Sequence, residues 1–133
     1  MKFMTVLNAR YRSFWTWLFI AGVIVVIVGS LSPESSPLMK TVEKLPFTDK
    51  AIHFSSYLVL GILASLARPG SRAVIVFLIG LALMGAVLEF AQAMVPGRTP
   101  DFLDEGANVL GAISGLFLGR LPIAKPAPAT VKS

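Results

Sequence analysis

The sequence predicts an all-α integral membrane protein, a four-helix bundle with both termini in the cytoplasm, and three observations predict it. Of the 133 residues, 55% are apolar and only 14% are charged, where a soluble domain carries about 25% charged residues. The apolar residues fall in four blocks, each to be measured against a bilayer that a helix of roughly 20 residues spans. The charges alternate with the blocks along the chain. A disordered chain would need less apolar content and more charge. There is no cysteine, which excludes disulfides, thiolate metal sites and cysteine nucleophiles.

The first block, Phe14 to Leu31, contains no charge and as a helix covers nearly the whole hydrocarbon thickness. Basic Lys2, Arg10 and Arg12 precede it, as they would a secretory signal, with Val28-Gly29-Ser30 as a small-residue cleavage site. The length of the run and the interfacial placing of Trp15 and Trp17 favour a retained anchor. Residues 1–13 are then a basic cytoplasmic segment, 14–121 the transmembrane domain and 122–133, rich in Lys, Pro and Ala, a disordered cytoplasmic tail.

From Ser32 to Thr48 the chain holds Pro33, Pro37, Pro46, serines and mixed charge, a loop with room for a short interfacial helix. The second span runs from Ile52 to Ala67 and stops at Arg68-Pro69-Gly70. The third runs from Ala73 to about Ala93, apolar until Glu89 and Gln92, and ends at Pro96-Gly97. The fourth starts with Thr99 as N-cap and Pro100 in the first helical position, and reaches Leu121 before Pro122.

Four spans put Lys2, Arg10, Arg12, Arg68, Arg72, Arg120, Lys125 and Lys132 on one side with no acid, and the positive-inside rule makes that side cytoplasmic. All seven acids lie toward the other side with Lys40, Lys44, Lys50 and Arg98. The basic pI therefore reflects topology, and no nucleic-acid partner is expected.

Helical spacing gathers the polar residues into stripes. Lys50, His53 and Tyr57 share one face of the second span, with Asp49 at its edge. Ala82, Gly85, Glu89 and Gln92 share one on the third. On the fourth, Asp101, Asp104, Asn108, Gly111, Gly115 and Gly119 form a single stripe, acidic and amide outward, glycine inward. The glycine run lets another helix approach closely, in this chain or in an oligomer. The tight turn at Arg98 makes the third and fourth spans neighbours, so the polar ends converge.

Each piece has a bland account. His53 could be an interfacial hydrogen-bonded residue, Asp49 and Asp101 could serve helix N-termini, Arg98 could pair with Glu105 on the surface, and Tyr57 could belong to an aromatic belt. Glu89 resists, because an unpaired carboxylate one turn inside an apolar helix costs about 2–3 kcal/mol; it must be paired or protonated. Jointly, the structural alternative is an ion-pair network of Lys50 and Arg98 with Glu89, Asp101 and Asp104 that fixes packing alone.

In order along the chain, Asp49-Lys50-x-x-His53-Phe54-x-x-Tyr57, Glu89-x-x-Gln92 and Arg98-x-x-Asp101-x-x-Asp104-x-x-x-Asn108-x-x-Gly111 resemble the VanZ-like family, over about Phe14 to Leu121. The resemblance implies a multi-pass protein of the bacterial cytoplasmic membrane with an envelope role, in a family named for an accessory protein of teicoplanin-type glycopeptide resistance. It implies no reaction and no substrate.

Two functions are then expected to compete. In the first, the outward polar site binds or acts on an envelope lipid or lipid-linked cell-wall intermediate. Lys50 and Arg98 hold phosphate, with Asp49, Tyr57, Gln92, Asp101, Asp104 and Asn108 completing the binding site. His53 and Glu89 are the candidate catalytic, proton-transfer pair. No resident cofactor is expected, although Asp101, Asp104 and Asn108 could take a divalent cation bridging to phosphate. HExxH, GxSxG and a phosphate-binding glycine loop are all missing from the sequence, so no familiar hydrolase template applies. In the second, the chain is a non-catalytic membrane scaffold associating through Gly111, Gly115 and Gly119.

Overall fold

A computed structural model of the chain describes residues 2–44, 48–68 and 70–121, with the backbone alone for 2–9. The expectations placed on Pro46, Pro69, the Lys2 side chain and the tail with Lys125 and Lys132 lie outside the described residues. Within them every regular element is a helix: α1 (Lys2–Leu31), α2 (Pro37–Val42), α3 (Asp49–Ala67), α4 (Ser71–Gln92) and α5 (Phe102–Leu118).

The helix boundaries follow local chemistry. α1 begins well before the first apolar block because nothing from Lys2 to Arg12 breaks a helix. α2 fills part of the expected loop, with the Ser36 hydroxyl accepting from the Met39 N–H at 3.3 Å and Pro37 in the first turn. Thr48 caps α3 by accepting from the Ala51 N–H, so α3 takes in Asp49 and Lys50 ahead of the expected Ile52.

The start of α5 corrects the expected Thr99 cap. A residue before proline is disfavoured in the helical region, and the cap falls on Asp101, whose carboxylate accepts from the Leu103 N–H at 2.9 Å. The helix also stops earlier than expected, with Gly119 as C-cap in place of continuation to Leu121.

α3 and α5 make the most extensive contact in the molecule; α1 packs chiefly on α3, and α4 chiefly on α5. Missing side chains make the central contact possible. A Cβ on Gly111 would strike the Phe54 carbonyl oxygen and one on Gly115 the Leu58 carbonyl oxygen, while one on Gly61 would sit 2.6 Å from the Ala112 oxygen. The glycine stripe of α5 thus meets α3 of the same chain backbone to backbone, while α4 packs on α5 as the neighbour expected from the tight turn, with less extensive contact. Around the α3–α5 contact Tyr57, Leu60, Leu81 and Ala112 form the core, flanked by Phe19, Val23, Val26, Leu78 and Met84.

The apolar pattern is inverted at the periphery. Val25, Val76, Val87, Phe90 and Phe117 are all exposed, an apolar coat expected of a protein solvated by lipid. Among the described residues three helices are long and apolar enough to cross a membrane, over Arg10–Leu31, Asp49–Ala67 and Ser71–Gln92. α5 is shorter, at 17 residues.

Candidate functional site

The helices alternate in direction, which sets the polar residues at one end. The C-terminal ends of α1 and α4 meet the N-terminal ends of α3 and α5 there, and at the opposite end the Arg12 Nε reaches the Ala67 carbonyl at 3.5 Å. The expected convergence of the polar stripes is present, and it divides into two groups.

The first group lies on the α3–α5 contact. The Lys50 ammonium donates to Asp101 Oδ2 at 2.6 Å and to Asp104 Oδ1 at 3.1 Å. Asp101, at the tip of α5 outside the helix, is held below the usual carboxylate range by its hydrogen bond with Lys50 first and by the Leu103 N–H second. One turn along, His53 Nδ1 and Asn108 Oδ1 are 3.0 Å apart, and Asn108 Nδ2 donates to Glu105 Oε2 at 3.1 Å. His53 Nε2 faces Asp49 Oδ1 at 3.9 Å and Asp104 Oδ2 at 4.0 Å, both too long for hydrogen bonds.

Glu89 joins this group through the backbone. Only 5% exposed, its Oε1 accepts from the Asp101 N–H at 2.5 Å. A peptide donor at the start of α5, in place of an expected cation, satisfies this buried carboxylate. Among the described residues no hydrogen bond joins Glu89 to His53.

The second group surrounds Arg98. Gly97 has φ +82°, a conformation that glycine adopts without strain, and the turn it makes carries Arg98 back over the C-terminal end of α1. The guanidinium Nη2 lies 3.4 Å from the Gly29 oxygen and 3.8 Å from Met39 Sδ, and Nε is buried without a partner. Gln92, also buried, donates to the Ser30 oxygen at 3.1 Å. The expected pairings of Arg98 with Glu89, Asp101, Asp104 or Glu105 are corrected here: among the described residues Arg98 makes no ion pair, because its turn directs it to α1 and away from α5.

A cavity of about 210 Å³ connects the groups. Val25, Val26, Leu38, Met39, Val42 and Ile52 give it apolar walls, while Asp49, His53, Tyr57 and Arg98 supply polar ones. Tyr57 is 2% exposed and its hydroxyl has no hydrogen-bond partner among the described residues. An apolar cleft with a few convergent, unspent polar groups has the character of a ligand site.

The sequence reading considered Glu105 only as a surface partner of Arg98, whereas it fixes the Asn108 amide and sits against Gly85 of α4. Its position, four residues after Asp101 and three before Asn108, was the signal that could have found this role. The sequence reading missed Met39 and the wall that α2 adds to the cavity, for which a six-residue helix leaves little periodic signal.

A family model described as VanZ/LLP1 matches residues 5–123. Comparisons with curated proteins and with solved structures give no match.

Proposed function

The chain belongs to the VanZ/LLP1 family, and from that premise we propose that it is a multi-pass protein of the bacterial cytoplasmic membrane whose Arg98 cavity binds the phosphate-bearing head of an envelope lipid or lipid-linked cell-wall intermediate. α1, α3 and α4 span the bilayer with α5 as a fourth, slightly short span of roughly 26 Å. Arg12, Arg68, Arg72 and Arg120 belong to the cytoplasmic end, which sets the polar end at the outer leaflet.

The observation that carries the reading is Arg98 itself. A guanidinium with spare donors, lining an apolar cavity and paired with no carboxylate among the described residues, is suited to an anionic oxygen. Tyr57 offers a second unspent donor in the same cavity. The apolar walls suit the part of a lipid adjoining its head group. Lys50 is already engaged by Asp101 and Asp104, so the structural ion-pair reading is favoured for that half of the cluster, where it ties α3 to α5. Phosphate recognition falls to Arg98. Through the family likeness, the same binding is proposed to bear on susceptibility to teicoplanin-type glycopeptides.

Lipids retained after purification in mild detergent test this. Mass spectrometry should find phosphate-rich anionic lipids enriched on the wild type over the zwitterionic lipids of the same membrane. Arg98→Ala should lose that enrichment while Arg120→Ala keeps it, with helix content checked for both. An unchanged lipid profile in folded Arg98→Ala would reject the reading.

A further inference from the structure

We propose that Asp49, His53 and Asp104 form a binding site for a divalent first-row transition cation, Zn2+ or Mn2+ by its donor set, with Asn108 as the residue that orients the imidazole. His53 Nε2 and one carboxylate oxygen from each aspartate lie within 4.8 Å of one another. Asp49 and His53 are one helical turn apart on α3, and Asp104 is delivered from α5 across the glycine contact.

The state of the imidazole is what distinguishes this cluster from an incidental gathering of acids. Asn108 Nδ2 is committed to Glu105 Oε2, which turns Asn108 Oδ1 toward His53 and requires the His53 Nδ1–H to donate to it. In the neutral imidazole that tautomer leaves Nε2 as the free ring nitrogen, and it is Nε2 that faces Asp49 and Asp104. A ligating histidine whose other ring nitrogen donates to an oxygen is the usual arrangement at protein metal sites. Asp104 is held in the same way: Lys50 takes Oδ1 and leaves Oδ2 facing the imidazole.

Charge points in the same direction. Asp101 and Asp104 share the Lys50 ammonium, while Asp49 faces only the imidazole, and a dication would offset the excess of carboxylates. One imidazole and two carboxylates suit Zn2+ or Mn2+ better than Ca2+ or Mg2+, which favour shells of oxygen alone. Ligand distances of about 2.0–2.2 Å require the three atoms to draw together by roughly half an ångström. Asp49, whose side chain is 60% exposed at the start of α3, has the freedom to do so. Asp49 and His53 line the cavity that also holds the buried, unpaired Tyr57 hydroxyl, so the cation's remaining positions open toward a ligand there.

His53 is the chain's single histidine, which makes the test direct. The full chain, made without a histidine tag, 15N-labelled at histidine and held in detergent micelles, is titrated with Zn2+ without added lipid. Before metal the spectrum should show the tautomer protonated at Nδ1. Metal should shift Nε2 saturably at one equivalent. Asn108→Leu should weaken binding by about 10–100-fold, and Asp104→Asn should abolish the shift in chains of unchanged helix content. Unmoved histidine resonances at saturating Zn2+, or binding that survives Asp104→Asn, overturn the proposal. Because the readout needs neither lipid nor Arg98, its failure is separable from failure of the lipid reading.

Discussion

His53 Nδ1 and Asn108 Oδ1 stand 3.0 Å apart across the contact at which the α3 and α5 backbones touch. The bond depends on that approach: Asn108 lies one turn from Gly111, and Gly111 meets the carbonyl of Phe54, the neighbour of His53. Packing of glycine on backbone therefore sets the geometry of the polar cluster.

Gly111→Ala should accordingly destabilise the protein by about 1–3 kcal/mol, since the intruding methyl forces two helix backbones apart. Gly80→Ala is the control. No atom lies within 4 Å of its added Cβ, so it should be neutral or stabilising by up to about 1 kcal/mol. Unfolding in detergent, followed by far-UV circular dichroism, measures both.

Glu89→Gln should change stability by less than about 1 kcal/mol, because glutamine retains an oxygen to accept the Asp101 N–H. Glu89→Leu leaves that half-buried donor without its partner and should cost about 1–3 kcal/mol. A structural ion pair with Arg98 or Lys50 predicts the opposite order, with large loss from the glutamine because it strands a cation.

Acid should remove the contribution of Asp101. Its carboxyl titrates below the ordinary range in the folded chain, so its stabilisation is fully present above the unfolded value of about 3.9 and is lost as pH falls through the lower folded value. Asp101→Asn keeps a capping side chain and lowers the attraction to Lys50. The melting temperature of the wild type should exceed that of the variant near neutrality, and the two should converge in strong acid; a gap that persists there contradicts the assignment.

Much of this was legible in the sequence because helix limits and polar stripes are local properties. The loop reading that ends at Thr48 and the expected stop after Ala67 bound α3 within a few residues, and helical spacing alone gathers Asp104, Asn108 and Gly111. What was not legible depends on partners distant in sequence. Arg98 reads as a partner for nearby acids until Gly97 is seen to turn it toward Gly29, 69 residues away. Lys50 reads as a phosphate ligand until Asp101 and Asp104 arrive from 51 and 54 residues away to occupy it. The cap at Asp101 instead of Thr99 turns on which of two good capping residues meets the Leu103 N–H.

The proposed topology makes a separate prediction. Reporter fusions after Arg72 and after Lys132 should both report the cytoplasm, while a cysteine at Ser35, in the α1–α2 turn, should react with a membrane-impermeant reagent added outside. An extracytoplasmic signal at either fusion contradicts four spans with both termini inside, and a chain cleaved after Ser30 would show α1 to be a signal sequence.

Photo-crosslinking from the cavity wall in native membranes tests the central claim most directly. A photoreactive residue at Val42 or Ser56, compared with one at Phe90 on the exposed face of α4, samples bound lipid against bulk bilayer. The cavity positions should capture a phosphate-rich lipid or lipid-linked intermediate far out of proportion to its abundance, and Arg98→Ala should abolish the selectivity without lowering total crosslinking at Phe90. Cavity crosslinks that mirror the bulk lipid mixture captured at Phe90, with or without Arg98, would contradict it.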